Sequence, residues 1–202
     1  MSSEDHENEE QSMAQPVPEW LVPPVEGFRA EDLDSLPDLP PHTELIDGSL
    51  VLVSPQKGFH SIVLDLLVQA MRAEAPAPYR VRREMTVTLG PRQRPEPDLM
   101  VVQAASIDNE QTTFFPRDVV LAVEVVSPES TERDRDRKPQ LYAGAGIVYF
   151  WRVENNDGVP VVYTYELDPA GRAYGLTGIH HDRLLTARPY ALDIDLTEVK
   201  RL

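Results

Sequence analysis

Cysteine is absent from the 202 residues, which excludes disulfides, thiolate metal sites and cysteine nucleophiles. Long apolar runs are missing too; none approaches the roughly 20 residues a membrane span needs. The opening residues, Met1-Ser2-Ser3-Glu4-Asp5, have neither the basic nor the apolar region of a secretory signal. A cytoplasmic protein with no membrane partner is the expectation. The five histidines show no spacing suited to a histidine-based zinc site. No phosphate-binding loop, dinucleotide-binding glycine turn or serine nucleophile elbow occurs. Lysine is scarce, three against sixteen arginines, so a lysine beside acidic residues is not simply the default cation.

What is abundant is acid. The formal net charge is −15, and residues 1–40 hold eleven Asp/Glu against the single Arg29, leaving −5 for the rest. That stretch also carries Pro16, Pro18, Pro23, Pro24, Pro37 and Pro40 without sustained periodicity. It reads as a flexible, acidic, proline-rich arm over 1–41 ahead of one domain over 42–202. Trp20, Leu21, Val22 and Phe28 stand out as residues able to dock on the domain or on a partner subunit. The acidity argues against tight non-specific coating of DNA. It leaves room for a locally basic groove, because charges count most within roughly 10 Å.

Past the arm, Glu44 to Val53 places Asp47-Gly48 between two short apolar segments, a hairpin signal. Ser61 to Arg72 repeats apolar residues at helical spacing, and Pro76 and Pro78 end it. Tyr79 to Leu89 and Asp98 to Val102 read as strands, with a loop around 108–117 before a third strand at 119–126. A helix over about Asp134 to Ala143 follows, acceptable only if Pro139 lies in its first turn. Ile147 to Val153 then returns as a strand. The strand–helix–strand order suggests a crossover with a parallel pair. Val161 to Leu167 and Arg172 to Thr177 read as antiparallel strands. The expected class is α/β: a mixed sheet flanked by helices, with an N-terminal hairpin and a C-terminal antiparallel extension.

The strand at 119–126 is the most apolar in the chain, yet Glu124 lies inside it. An unpaired buried carboxylate costs several kcal/mol or more, so a cation, a metal ion or a shared proton must accompany it. A structural ion pair with an arginine is the plainer alternative. Asp98, after Pro97, is either a turn residue or a second carboxylate at a strand end. If the two strands are neighbours, Asp98, Glu124 and a backbone carbonyl such as that of Val125 can offer oxygens to Mg²⁺ or Mn²⁺. Lys138 suits orienting a water or steadying negative charge, and Tyr142 lies four residues on along the same helical face. Glu44 and His60 complete the candidates, each with a bland reading as surface acid and helix cap. Arg133, Arg135 and Arg137 are candidate phosphate contacts, or else a solvated salt-bridged face.

Taken in order, Glu44-Leu45-Ile46-Asp47-Gly48, His60, Pro97-Asp98, Glu124 to Ser130, Asp134-Arg135, Lys138, Tyr142-Ala143, Gly146-Ile147 and Trp151 resemble the Uma-type putative restriction endonuclease family of bacteria. The resemblance implies the PD-(D/E)xK nuclease superfamily and its restriction-endonuclease-like fold. It implies a metal-dependent endonuclease acting on DNA, with Asp98 and Glu124 binding the ion. By analogy it also implies a homodimer. Val126 departs from the pattern, standing where the superfamily lysine should be, so the resemblance requires Lys138 to arrive from the next helix. Glu44 would be an additional acid. Thr43 for tyrosine and Val148 for proline are smaller departures. The alternative is a nuclease scaffold without activity, acting as a nucleic-acid- or protein-binding module.

Overall fold

A computed structural model describes residues 18–201. After the hairpin β1 (Glu44–Ile46) and β2 (Ser49–Val51) comes helix α1 (Gly58–Glu74). The chain continues through β3 (Tyr79–Arg83), β4 (Thr86–Val87), β5 (Leu99–Gln103), β6 (Thr113–Phe114) and β7 (Val119–Val125). Helix α2 (Lys138–Ala145) leads into β8 (Tyr149–Asn156), β9 (Val159–Asp168), β10 (Ala173–His180), β11 (Arg183–Thr186) and β12 (Leu192–Asp195).

Six strands form the central sheet in the order β10-β9-β8-β7-β5-β3. Only β7 and β8 run parallel within it, as the α2 crossover requires; the other neighbours are antiparallel. Alternation along each strand divides the core in two. Leu121, Val123 and Val125 of β7 join Val63, Leu64, Leu67 and Met71 of α1, closed over by Leu184, Leu192 and Ile194. Ala122 faces the other way, with Met100, Val102, Phe150 and Tyr142 of α2. Glu124 shares the parity of Ala122 and therefore points to the α2 side.

Two sequence expectations change. The run Tyr79 to Leu89 is not one strand: Glu84 has φ +52°, a left-handed turn that breaks the pleat. Beyond it, β4 pairs in parallel with β6, inside the segment read as a loop. Part of the stretch read as an arm over 1–41 is also folded onto the domain. Phe28 and Ala30 are buried, the Phe28 amide donates to the Gly48 carbonyl at 2.8 Å, and Arg94 grips Asp34 through both terminal nitrogens at 2.6 and 2.9 Å. In a stretch rich in acid and proline, Phe28, expected to dock, does so beside Ala30 and the buried Arg94. Trp20 and Leu21 are half-buried and Val22 is exposed, while residues 1–17 lie outside the described residues. The strands expected at 161–167 and 172–177 are β9 and β10, paired antiparallel, and beyond them the β11–β12 hairpin closes over the α1 side of the core.

Candidate active site

Register sets the first contact. Leu99 on β5 lies opposite Val123 on β7, so Asp98, one step before β5, meets β7 at Glu124 and Val125. The Val125 amide donates to Asp98 Oδ2 at 2.6 Å. On the other side of β7, the Val126 amide donates to the Val153 carbonyl on β8 at 2.9 Å. Alternating backbone direction then turns the Val125 carbonyl toward Asp98, where β5 has not yet begun. His60, in the first turn of α1, stands 2.9 Å from the other Asp98 oxygen through Nε2. An ionised carboxylate accepts only, so Nε2 donates.

The cation beside Glu124 comes from the start of α2. Lys138 Nζ is 2.9 Å from Glu124 Oε2, 2.8 Å from Glu44 Oε1 and 3.4 Å from Asp134 Oδ1. Tyr142 donates its hydroxyl to Glu124 Oε1 at 2.5 Å. Glu44 Oε1 also accepts the Glu96 amide at 2.8 Å, which ties the hairpin to the approach to Asp98. Lys138 and Glu124 are 5% and 1% exposed, so neither charge is screened by solvent.

Pro139 explains how Lys138 is aimed. Proline lacks an amide, and its ring collides with the carbonyl four residues back. Here the preceding turn, Arg133–Arg137, opens into a π-helix in which the Lys138 amide bonds the Arg133 carbonyl. Pro139 then sits at the start of α2, as expected of a tolerated helix proline. The sequence reading gave Asp134 no role in the site, although it is 2% exposed. Its signal was there: Ser130, Asp134, Lys138 and Tyr142 fall four apart, on one helical face.

One ammonium among four carboxylates leaves the cluster short of positive charge. Burial pushes the Glu124 carboxyl well above the usual carboxylate range; Lys138 opposes this, while Asp134, Asp98 and Glu44 add to it. Asp134 is raised mainly by burial as well. For Lys138, burial favours the neutral amine but is outweighed by Glu124, Glu44, Asp134 and Asp98, which hold the ammonium well above its ordinary value. Burial, with Glu124, Glu44 and Asp134, raises Tyr142, keeping it a hydroxyl donor.

A divalent cation fits this chemistry. The donors are hard oxygens, the buried charge is excessively negative, and Asp134 Oδ1 is buried with only the long 3.4 Å approach of Lys138 Nζ. Among the described residues no three acid or histidine side chains already form a metal cage, because Glu44, Glu124 and Asp134 converge on Lys138. An ion would have to sit outside that convergence, toward Asp98, which accepts the Val125 amide.

These residues open onto a cleft of about 740 Å³, lined also by Lys57, Val126, Arg133 and Arg135. Arg133 Nε is buried without a partner. Arg135 pairs with Glu154 through Nε at 3.1 Å. Arg137, grouped with them by sequence, is not part of this lining; it points away and pairs with Asp47, its Nε 2.8 Å from Oδ2. Asp47 in the hairpin captures this arginine, which sets it apart from Arg133 and Arg135.

Comparison with known proteins agrees with the architecture. A crystal structure described as a putative nuclease belonging to DUF820, from Anabaena variabilis ATCC 29413, superposes with a TM-score of 0.66 at 17% identity. The match covers 85% of this chain and 97% of that one. At that identity the likeness shows a shared fold. No curated protein sequence matches. A family model, Uma2, described as "putative restriction endonuclease", matches residues 30–197. The match starts within the docked segment and ends past the last strand, taking in every side chain of the cluster. The chain belongs to the Uma2 family.

Proposed function

We infer that this chain is a Mg²⁺- or Mn²⁺-dependent endodeoxyribonuclease of the PD-(D/E)xK type. The observation that carries this reading is Lys138 Nζ at 2.9 Å from Glu124 Oε2, which supplies from α2 the lysine that Val126 lacks. Family membership and the nuclease-like fold support the same chemistry.

Asp98, Glu124 and the Val125 carbonyl would hold the ion. When bound, it lowers the pKa of water and offsets charge developing on the phosphoryl oxygens. The chain's own groups do the positioning. His60 and the Val125 amide fix both Asp98 oxygens. Tyr142 fixes the Glu124 oxygen that Lys138 does not hold. Lys138 has three donors, and exchanging one carboxylate contact for a water would orient that water toward phosphorus. Glu44 keeps the ammonium at the cleft floor. Arg133 and Arg135 offer phosphate contacts at the rim, which position a strand without reading its sequence. Cutting both strands of a duplex would call for a second copy, so a homodimer is part of this reading by analogy.

One observation favours a second reading, a nuclease scaffold used only for binding nucleic acid or protein: Lys138 is already satisfied by three carboxylates. Calorimetry separates the two. Mg²⁺ binding that disappears in Asp98→Ala and Glu124→Ala, together with metal-dependent cleavage, supports the nuclease. The same binding without cleavage of plasmid or single-stranded DNA supports the scaffold.

A further inference from the structure

The cleft walls differ from its floor. The floor is acidic, but one wall is the loop between β2 and α1, where Leu52 and Val53 are 48% and 44% exposed. Phe59, half-buried at the start of α1, and Val126 and Pro128 continue the apolar lining. Scattered exposed apolar residues are ordinary; several facing one cavity are not. Across the mouth, Lys57 of this loop pairs with Glu129 of the segment after β7 at 3.3 Å, drawing the two walls together. The rim cation Arg133 has a buried, unpartnered Nε.

Resting on the nuclease reading, we propose that the cleft takes single-stranded DNA, with one or two unstacked bases against Leu52, Val53 and Phe59 and the backbone toward Arg133. Size argues for it. About 740 Å³ lies within the range of roughly 300–1,000 Å³ that encloses a small molecule, room for about a dinucleotide rather than a paired column. Charge agrees: eight Asp/Glu against four Lys/Arg line the cleft, so the phosphate rails of a duplex find no basic track. A flexible strand needs only one neutralised phosphate, at Arg133, and obtains the rest of its affinity from its bases, through stacking on Phe59 and apolar contact with Leu52 and Val53. A paired base would first have to leave its stack at a cost of a few kcal/mol, least where the strand is already single.

The test reads binding rather than cutting, so that it fails separately from the nuclease reading. Fluorescent oligo-dT and a duplex of equal length are titrated with the full chain in Ca²⁺, wild type beside Leu52→Ser and Val53→Ser, two exposed loop positions whose substitution spares the core. The expected result is single strand bound at least tenfold tighter than duplex, with each variant weakening single-strand binding at least threefold. Mg²⁺ calorimetry should be unchanged in both variants. Equal or tighter duplex binding overturns the proposal and leaves the nuclease reading standing. So does single-strand preference that survives both substitutions. Absence of any binding at protein concentrations on the order of 100 μM, the weak end of non-specific DNA affinity, also overturns it. Cleavage measured in parallel with Mg²⁺ judges the nuclease reading alone.

Discussion

Lys138 and Glu124 form a pair whose worth lies in being complete. Two charges this deeply buried return little net stability over an apolar pair, but removing one partner strands the other. Lys138→Met should therefore cost about 3–5 kcal/mol, read as a lowered urea midpoint, because Glu44 and Glu124 lose their shared cation. Tyr142→Phe is a finer probe. It deletes one hydroxyl and leaves Glu124 Oε1 without its donor, so a loss of about 1–3 kcal/mol is expected, with an accompanying fall in cleavage rate. If Tyr142→Phe matched the wild type in both urea unfolding and rate, Glu124 would not depend on that bond for its orientation.

Elements bring these residues together, and two joints do most of that positioning. The π turn before α2 exists because Pro139 cannot continue an α-helical ladder. Pro139→Ala restores an amide and lets the turn close to α-helical winding. We expect a preserved or raised Tm together with reduced metal-dependent cleavage, since Lys138 rotates on its axis. Activity equal to wild type would show that the widened turn is incidental. The second joint is Arg94 with Asp34, which holds the docked N-terminal segment beside the hairpin carrying Glu44. Arg94 keeps the Asp34 carboxyl below the usual range, its hydrogen bond outweighing burial. A depressed carboxylate stabilises above its unfolded pKa, and that contribution disappears as pH falls through the folded value. Amide exchange across residues 28–36 should accordingly rise below the usual carboxylate range. In Asp34→Asn it should already be raised at neutral pH, and the acid-dependent rise should be absent.

At the scale of the molecule, acid outweighs base, and much of it lies near the N-terminus. Deleting residues 1–17 removes Glu4, Asp5, Glu7, Glu9 and Glu10 and changes the net charge from −15 to −10. DNA affinity should rise at low salt, with the difference shrinking as screening increases. An identical affinity at low salt would mean that this acid lies too far from the cleft to matter.

Much of this architecture was legible in sequence because it follows from short-range pattern. A glutamate inside an apolar strand announced a paired charge, Asp47-Gly48 announced a hairpin, and strand–helix–strand order announced the parallel pair. What escaped notice depended on distant partners. Phe28 stood out as able to dock, but the partner of Asp34 is Arg94, 60 residues away, which no local periodicity shows. Asp134 looked solvated because alternating charge is usually a surface signature, and only its fourfold spacing from Lys138 hinted otherwise. Arg137 was grouped with its neighbours by proximity in sequence, while the π turn sent it to Asp47.

The central claim is that Glu124, Asp98 and Lys138 form one metal-dependent cutting centre. Its most direct test is cleavage of plasmid and single-stranded DNA by purified full chain in Mg²⁺, Mn²⁺ or EDTA, beside Asp98→Ala, Glu124→Ala and Lys138→Ala, each checked for folding by circular dichroism. The account predicts cleavage that needs the divalent ion, stops in EDTA, and falls at least a hundredfold in every variant. Cleavage that persists in folded Glu124→Ala would contradict it.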